Sequence, residues 1–289
     1  MTLLKRDICP ACERSEFKEI YSLSYNSKKM HFFLNKYYKG LLQIDKLNKY
    51  RYRLLECKSC RLIFQEQIPG KEFSKELYEN IIDQGDSLLK KDNFEKKWNK
   101  KLFYEIKMIE NLFKKKSNEI SVLEFGAGWG NWAQHLKNKN FNICAFEVSD
   151  SRIDYMNKKG IRTLTDINET NKKFDFIYSE ETFEHISNPK ETLITLSKIL
   201  NNGGYMLLRF PSHFLFKFRV KQNYKPTADC AHPLEHINLF KKKSFDEMLK
   251  NTNLETITFK SKFNWSFRNF LKDLKNLVYF RSILIRKNY

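Results

Sequence analysis

Ser121-Val122-Leu123-Glu124-Phe125-Gly126-Ala127-Gly128-Trp129-Gly130 is the stretch whose reading decides the fold. A short apolar run ends in an acid, glycines follow at every second position, and Asn131 opens an amphipathic segment. Strand, glycine turn and helix, in that order, let backbone approach a nucleotide-like ligand closely. The spacing Gly-x-Gly-x-Gly departs from the Gly-x-Gly-x-x-Gly dinucleotide fingerprint, because Gly130 comes one residue early. A carboxylate at Glu124 would repel a pyrophosphate. It suits a ligand with a cationic amine and no phosphate.

Outward from this stretch, strands alternate with helices. Val122–Glu124, Asn142–Glu147, Arg162–Leu164, Phe174–Tyr178 and Tyr205–Phe210 read as strands, with helices at Asn131–Lys137, Ser151–Lys158 and Pro189–Leu200. Ser244–Lys250 and Leu254–Phe259 add a helix and a strand. Such alternation predicts an α/β domain with a mostly parallel sheet, whose ligands sit beyond the carboxyl ends of the strands. Those ends carry Glu124 to Gly130, Glu147, Asp166, Ser179 to His185, and Pro211 to His213. Glu147 lies 21 residues beyond Gly126, where an acid can accept from both ribose hydroxyls of an adenosine. Asp166 can accept from an adenine amino group, with Ile167 packing the ring, and Ser179 is counted with the cofactor-binding residues. S-adenosylmethionine is a phosphate-free adenosyl ligand with the required amine.

Residues from roughly 100 to 260 resemble a class I S-adenosylmethionine-dependent methyltransferase. The resemblance is carried by Val122 to Gly130, Phe146-Glu147-Val148-Ser149, Phe174 to Ser179, Phe183-Glu184-His185-Ile186-Ser187-Asn188-Pro189 and the Gly203-Gly204 turn. It implies a Rossmann-like sheet of seven strands, mostly parallel. By the same resemblance, Glu124 with Gly126, Gly128 and Gly130 holds the methionine part, Glu147 the ribose and Asp166 the adenine. For the seventh strand, Ser282–Arg286 is the only short candidate, since Phe263–Tyr289 otherwise reads as a basic amphipathic helix.

Upstream, Cys9-Pro-Ala-Cys12 and Cys57-Lys-Ser-Cys60 are two Cys-x-x-Cys knuckles able to close a tetrahedral structural zinc site. Phe17–Leu23 and Tyr50–Leu55 are candidate strands of a small ribbon. The 44 residues between the pairs exceed the usual ~15–20 of such a ribbon. The excess is the aromatic and basic stretch Met30–Arg53, which reads as a substrate-facing insertion or as hydrophobic filling; His31 within it is a bystander. Cysteine pairs ahead of such a domain are similar to a bacterial subgroup with an N-terminal zinc-binding region, some members of which act on sugars. The expected organisation is a zinc-ribbon-like module at 1–70, a helical linker or cap at 71–118, the cofactor domain at 119–262 and a basic extension at 263–289. Within the linker, Glu72–Asn80 and Asn93–Lys116 read as helices covering the sheet, with Tyr78 at the active-site mouth as the alternative.

Methyl transfer is an in-line displacement at a sulfonium, so the protein mainly aligns the reactants and excludes water. A hydroxyl or enolisable acceptor also needs a base, for which His185 and His236 are candidates, with Glu235 orienting or acting directly. The segment His232-Pro-Leu-Glu235-His236 resembles one in zinc-containing sugar C-methyltransferases, which have a Tyr-x-Glu-His motif; here Pro233 stands at the Tyr position. Pro233 also argues against a helical metal pair at His232 and His236, so no second metal is expected.

The chain carries a net charge of +19 over 289 residues, and +8 of it falls in each of 28–61 and 241–289. A lysine-rich compositional bias explains this as well as phosphate-binding patches do. The leading expectation is a methyltransferase acting on a small polar metabolite, a sugar or nucleotide-sugar that can carry phosphate. The alternative is an RNA methyltransferase whose zinc module and basic flanks grip phosphates. A non-catalytic module ranks last. No stretch reaches the ~20 apolar residues of a membrane span, and no apolar leader opens the chain, so a cytoplasmic protein is expected.

Overall fold

The structure, a computed structural model, describes residues 1–82, 102–168, 170–257 and 280–289. Phe94 and Trp98 of the expected helix over Asn93–Lys116, Phe259 of the expected last strand, and residues 263–279 lie outside the described residues.

In chain order the elements are β1 (Leu3–Lys5), β2 (Phe17–Ser24), α1 (Lys28–Tyr37), β3 (Arg51–Cys57), β4 (Ile63–Gln65), β5 (Gln67–Pro69) and α2 (Lys71–Glu76). A helix over 102–113, α3, leads into β6 (Ser121–Phe125), α4 (Asn131–Lys137), β7 (Asn142–Phe146), α5 (Asp150–Lys158) and β8 (Arg162–Leu164). Then come β9 (Phe174–Glu180), α6 (Pro189–Ile199), β10 (Leu200–Pro211), α7 (Phe216–Lys221), β11 (Asn238–Leu239), α8 (Lys242–Met248), β12 (Leu254–Ile257) and β13 (Phe280–Lys287).

Seven strands form the main sheet in the order β12-β13-β10-β9-β6-β7-β8. Neighbours from β10 to β8 run parallel, whereas β13 is antiparallel to both β10 and β12. In the central strand β6, Val122 and Leu123 are fully buried, as a parallel strand covered on both faces requires. The chain leaves β6 toward β7 and β8, then crosses back to β9 on its other side. That reversal opens a crevice at the carboxyl ends of β6 and β9.

The tail supplies the seventh strand over the candidate Ser282–Arg286 and corrects the helix reading of the surrounding stretch. A strand, not an amphipathic helix, occupies 280–287, and it lies inside the sheet between β12 and β10. Ile283 and Ile285 face the core packed by α6 and α8, while Leu284 packs on the opposite face. The last residues are therefore integral to the sheet and not an appended extension.

A smaller antiparallel sheet, β11-β4-β3-β2, carries the cysteine knuckles. Its strand β11 comes from the chain after β10, so the N-terminal module is completed by the later segment. Arg6 reinforces the join. Its guanidinium donates to the carbonyls of Gln65 and Ile237, each at 2.7 Å, and to Asn238 Oδ1 at 2.9 Å. Cys9, Cys57, Cys60 and Phe64 share one core with Leu193, Phe210 and Phe245 of the main sheet's face. Each buried large apolar side chain there contributes roughly 1.5–3 kcal/mol relative to exposure.

The stretch Met30–Arg53 turns out to be largely filling. Ser27 caps α1 by accepting from the Met30 amide at 3.3 Å, and Met30 and Leu34 bury one face. Tyr38, Leu42, Leu47 and Tyr52 complete a second core. His31 bonds Asn48 at 3.0 Å, away from the cysteines. Among the described residues no helix is long and apolar enough to cross a membrane.

Candidate active site

The β6–α4 loop is built from left-handed backbone: φ is +74° at Gly126, +56° at Gly128 and +70° at Gly130. A Cβ at Gly126 would lie 2.3 Å from Thr182 Oγ1, and one at Gly130 would lie 2.6 Å from Met156 Sδ. Packing therefore demands glycine at both. A Cβ at Gly128 would meet nothing within 4 Å, because this residue faces an open cleft.

Glu147 follows β7 and reaches back to the loop. Its Oε2 accepts the Gly128 amide at 2.7 Å, and its Oε1 accepts the amides of Val148 and Ser149 at 2.8 and 3.2 Å. Arg152 stands 3.9 Å away and lies over the Trp129 ring. Glu124 is buried, and its Oε2 accepts the Ala133 amide at 2.9 Å. Burial holds this carboxyl well above the ordinary carboxylate range, and repulsion from Glu180, Glu147 and Glu105 adds to the shift. A cation placed beside it would reverse that balance.

The cleft has a volume of about 980 Å³. The glycine loop, Glu124 and Glu147 form one end; Tyr37, Tyr78, His185, Glu235 and His236 form the other. His185 ends a 3-10 turn, Phe183–His185. Its Nδ1 lies 2.9 Å from both the Glu235 carbonyl and the Tyr78 hydroxyl. A carbonyl only accepts, so Nδ1 carries the proton and Nε2 is bare. His236 repeats the pattern, with Nδ1 2.5 Å from the Asp229 carbonyl. Burial and the neighbouring His236 pull His185 down to about 3, and burial pulls His236 down to about 4. Both rings are neutral at physiological pH. Glu235 accepts from Tyr38 at 2.8 Å and lies 3.6 Å from His232 Nε2.

The structure thus brings Glu124, Gly126, Gly128, Glu147, His185, Glu235 and His236 to one cleft. Gly130, Asp166 and Ser179 do not line it. Gly130 serves the turn into α4. Asp166 is exposed and closes on its own chain, accepting the Asn168 amide at 2.7 Å. Ser179 is 1% exposed inside β9. Tyr78 does reach the mouth of the cleft. Trp129 and Thr182, within the predicted strand-end stretches, also line it, as do Tyr37 and Arg152, whose place there sequence reasoning missed. Thr182 had a local signal, since it directly follows the acidic strand end. Tyr37 had none, because only the tertiary fold sets α1 against the cleft.

The cysteine knuckles converge as a separate site. Cys9 and Cys60 sulfurs are 3.5 Å apart, as are those of Cys12 and Cys57, and all four lie within 4.8 Å of one another. Zinc with bonds of ~2.3 Å sets tetrahedral sulfurs about 3.8 Å apart, so the donor set fits that ion.

The parallel order around β6, the glycine turn and the acid after β7 define the fold of class I S-adenosylmethionine-dependent methyltransferases. A family model described as "Methyltransferase domain" matches residues 98–258, and the chain belongs to this family. It is similar to a ubiquinone biosynthesis O-methyltransferase of Rickettsia bellii, 24% identical over 181 residues, covering 56% of this chain and 66% of that protein. The same-named protein of Rickettsia conorii is 24% identical over 193 residues, covering 59% of each. The chain thus spans somewhat less than two thirds of these curated relatives. In fold it is similar to the plantazolicin methyltransferase BpumL in complex with a monoazolic desmethylPZN analog and SAH. The TM-score is 0.52 and the identity 17%, over 75% of this chain and 94% of that one.

Proposed function

We propose that this protein transfers the methyl group of S-adenosylmethionine to a hydroxyl of a small polar ring, a sugar. The observation that carries this reading is the single cleft, with the glycine loop at one end and a polar, aromatic-walled chamber at the other. Glu124 receives the cationic amine of the cofactor, the loop cradles its methionine part and Glu147 takes the ribose hydroxyls. The acceptor ring lies against Tyr37 and Tyr78. As the sulfonium S–CH3 bond breaks and the O–CH3 bond forms, the hydroxyl proton leaves toward Glu235. The O-methyltransferase names of the Rickettsia relatives support a hydroxyl acceptor. In the N-terminal module, Cys9, Cys12, Cys57 and Cys60 would hold zinc, which has a structural role there.

An RNA acceptor is disfavoured by charge. Glu147, Glu180, Glu181 and Glu235 all line the cleft, so a phosphate chain entering it meets carboxylates. The test is to incubate purified protein with methyl-labelled S-adenosylmethionine and either a metabolite extract or total RNA. Label is expected in the small-molecule fraction. Label in RNA alone would overturn the assignment.

A further inference from the structure

Behind the acceptor end of the cleft sits a group that the proposed reaction does not use. Glu184, at the centre of the Phe183–His185 turn, is 1% exposed, and among the described residues no other group meets its carboxylate oxygens with a hydrogen bond, only its own backbone amide bearing on it. Burying such a group with so little support is costly, and a ligand beside it would offset that cost. Its Oε1 faces His185 Nε2 at 4.0 Å. The His236 ring stands beside the His185 ring, centroids 4.9 Å apart.

The two imidazoles are oriented for a ligand. Each donates its Nδ1 proton to a backbone carbonyl, of Glu235 for His185 and of Asp229 for His236, which leaves both Nε2 lone pairs bare. Metal-binding histidines are fixed in the same way, one ring nitrogen held by an outer acceptor and the other on the ion. One ligand atom each from Glu184, His185 and His236 can be chosen so that all lie within 4.8 Å of one another. Bonds of about 2.1 Å set tetrahedral ligand atoms about 3.4 Å apart, so the three groups draw in on binding.

We propose that Glu184, His185 and His236 bind a divalent transition-metal ion at the acceptor end of the cleft. Imidazole donors favour such an ion over magnesium or calcium, and three protein ligands leave positions open. His185 and His236 line the cleft, so those positions face the chamber where the acceptor oxygen would lie. This last point rests on the methyltransferase reading; the binding of the ion does not. The pair His232 and His236, spaced like a helical metal pair, is not the site. His232 packs edge-on against Tyr37 at 4.2 Å, and its ring lies 5.8 Å from that of His236.

A buried water would also satisfy Glu184, and the experiment separates the two. Mn2+ is the probe, because it prefers oxygen and nitrogen ligands and leaves the thiolates of the cysteine cluster alone. The protein is titrated with Mn2+ by electron paramagnetic resonance, and S-adenosylhomocysteine binding is measured on the same samples. One bound Mn2+ per chain is expected. Glu184→Gln and His236→Ala should each weaken it roughly 100-fold while S-adenosylhomocysteine still binds. If Glu184→Gln does not fold, His236→Ala carries the test, since its ring is at the cleft surface. Wild-type protein that binds S-adenosylhomocysteine but no Mn2+ overturns the site, as do variants that retain Mn2+. Protein that binds Mn2+ but no S-adenosylhomocysteine supports the ion site and overturns the methyltransferase reading instead.

Discussion

Gly128 donates its amide to the Glu147 carboxylate across 2.7 Å, tying the glycine loop to the acid at the end of β7. One side chain therefore shapes the loop and faces the ligand. Glu147→Ala should remove both effects. Two hydrogen bonds from ribose to a charged acceptor are worth about 3 kcal/mol together, or roughly a hundredfold in affinity. Calorimetric titration with S-adenosylhomocysteine is the check, with circular dichroism confirming the fold. Unchanged affinity would exclude Glu147 as the ribose acceptor.

The glycines of the loop separate stability from binding. Gly126→Ala sets a methyl 2.3 Å from the Thr182 hydroxyl oxygen at φ +74°, so the loop or Thr182 must move. A loss of about 2–4 kcal/mol in urea unfolding is expected. Gly128→Ala meets no atom and pays only for positive φ, about 1 kcal/mol, yet it places a methyl in the cleft. It should lower cofactor affinity more than stability. Equal stability losses in the two variants would contradict this geometry.

The division between what the sequence revealed and what it concealed follows from physics. Strand β6 and its turn were legible because a buried strand, left-handed glycines and a terminal acid are local requirements written in adjacent residues. Glu147 was legible because the strand–helix unit has a nearly fixed length. Asp166 lies outside the cleft lining and accepts the Asn168 amide, because a carboxylate after a strand can also close a turn on itself. Strand β13 was obscured by its setting after a basic stretch, and only pairing with β10 and β12 defines it. The wall formed by Tyr37 was invisible, since nothing local links α1 to the turn carrying His185. Glu184 lay within a quoted motif, but its burial with so little support is a property of three-dimensional packing.

The cysteine cluster should behave as part of the main core. Cys9 and Cys60 are fully buried against the same cluster as Phe210 and Phe245, so loss of the ion would loosen more than a surface ribbon. Cys60→Ser, or exhaustive chelation, should release one zinc and lower Tm. Each kcal/mol lost shifts the midpoint by roughly 2–4 °C for a chain approaching this size. Metal analysis alongside thermal melting is the check. A zinc-free wild-type protein with an unchanged Tm would remove the structural role.

Glu124 gives the cofactor site a pH dependence of defined sign. Burial and three neighbouring carboxylates raise its carboxyl well above 4.5, so folding takes up a proton there. Stability of the free protein from this group therefore falls as pH rises above 4.5, and Glu124→Gln should be more stable than wild type once the wild-type carboxyl ionises. A cationic amine favours the ionised form. Ligands that carry it must expel the proton wherever the free protein retains it, so their affinity rises with pH by up to about tenfold per unit. S-adenosylhomocysteine has the amine and 5′-methylthioadenosine does not, which makes them a matched pair. Titration of both from acidic to neutral pH should give a rising affinity for the first and a flat one for the second. Glu124→Gln should flatten the first as well. Parallel profiles for the two ligands in wild-type protein would show that the amine does not sit beside Glu124.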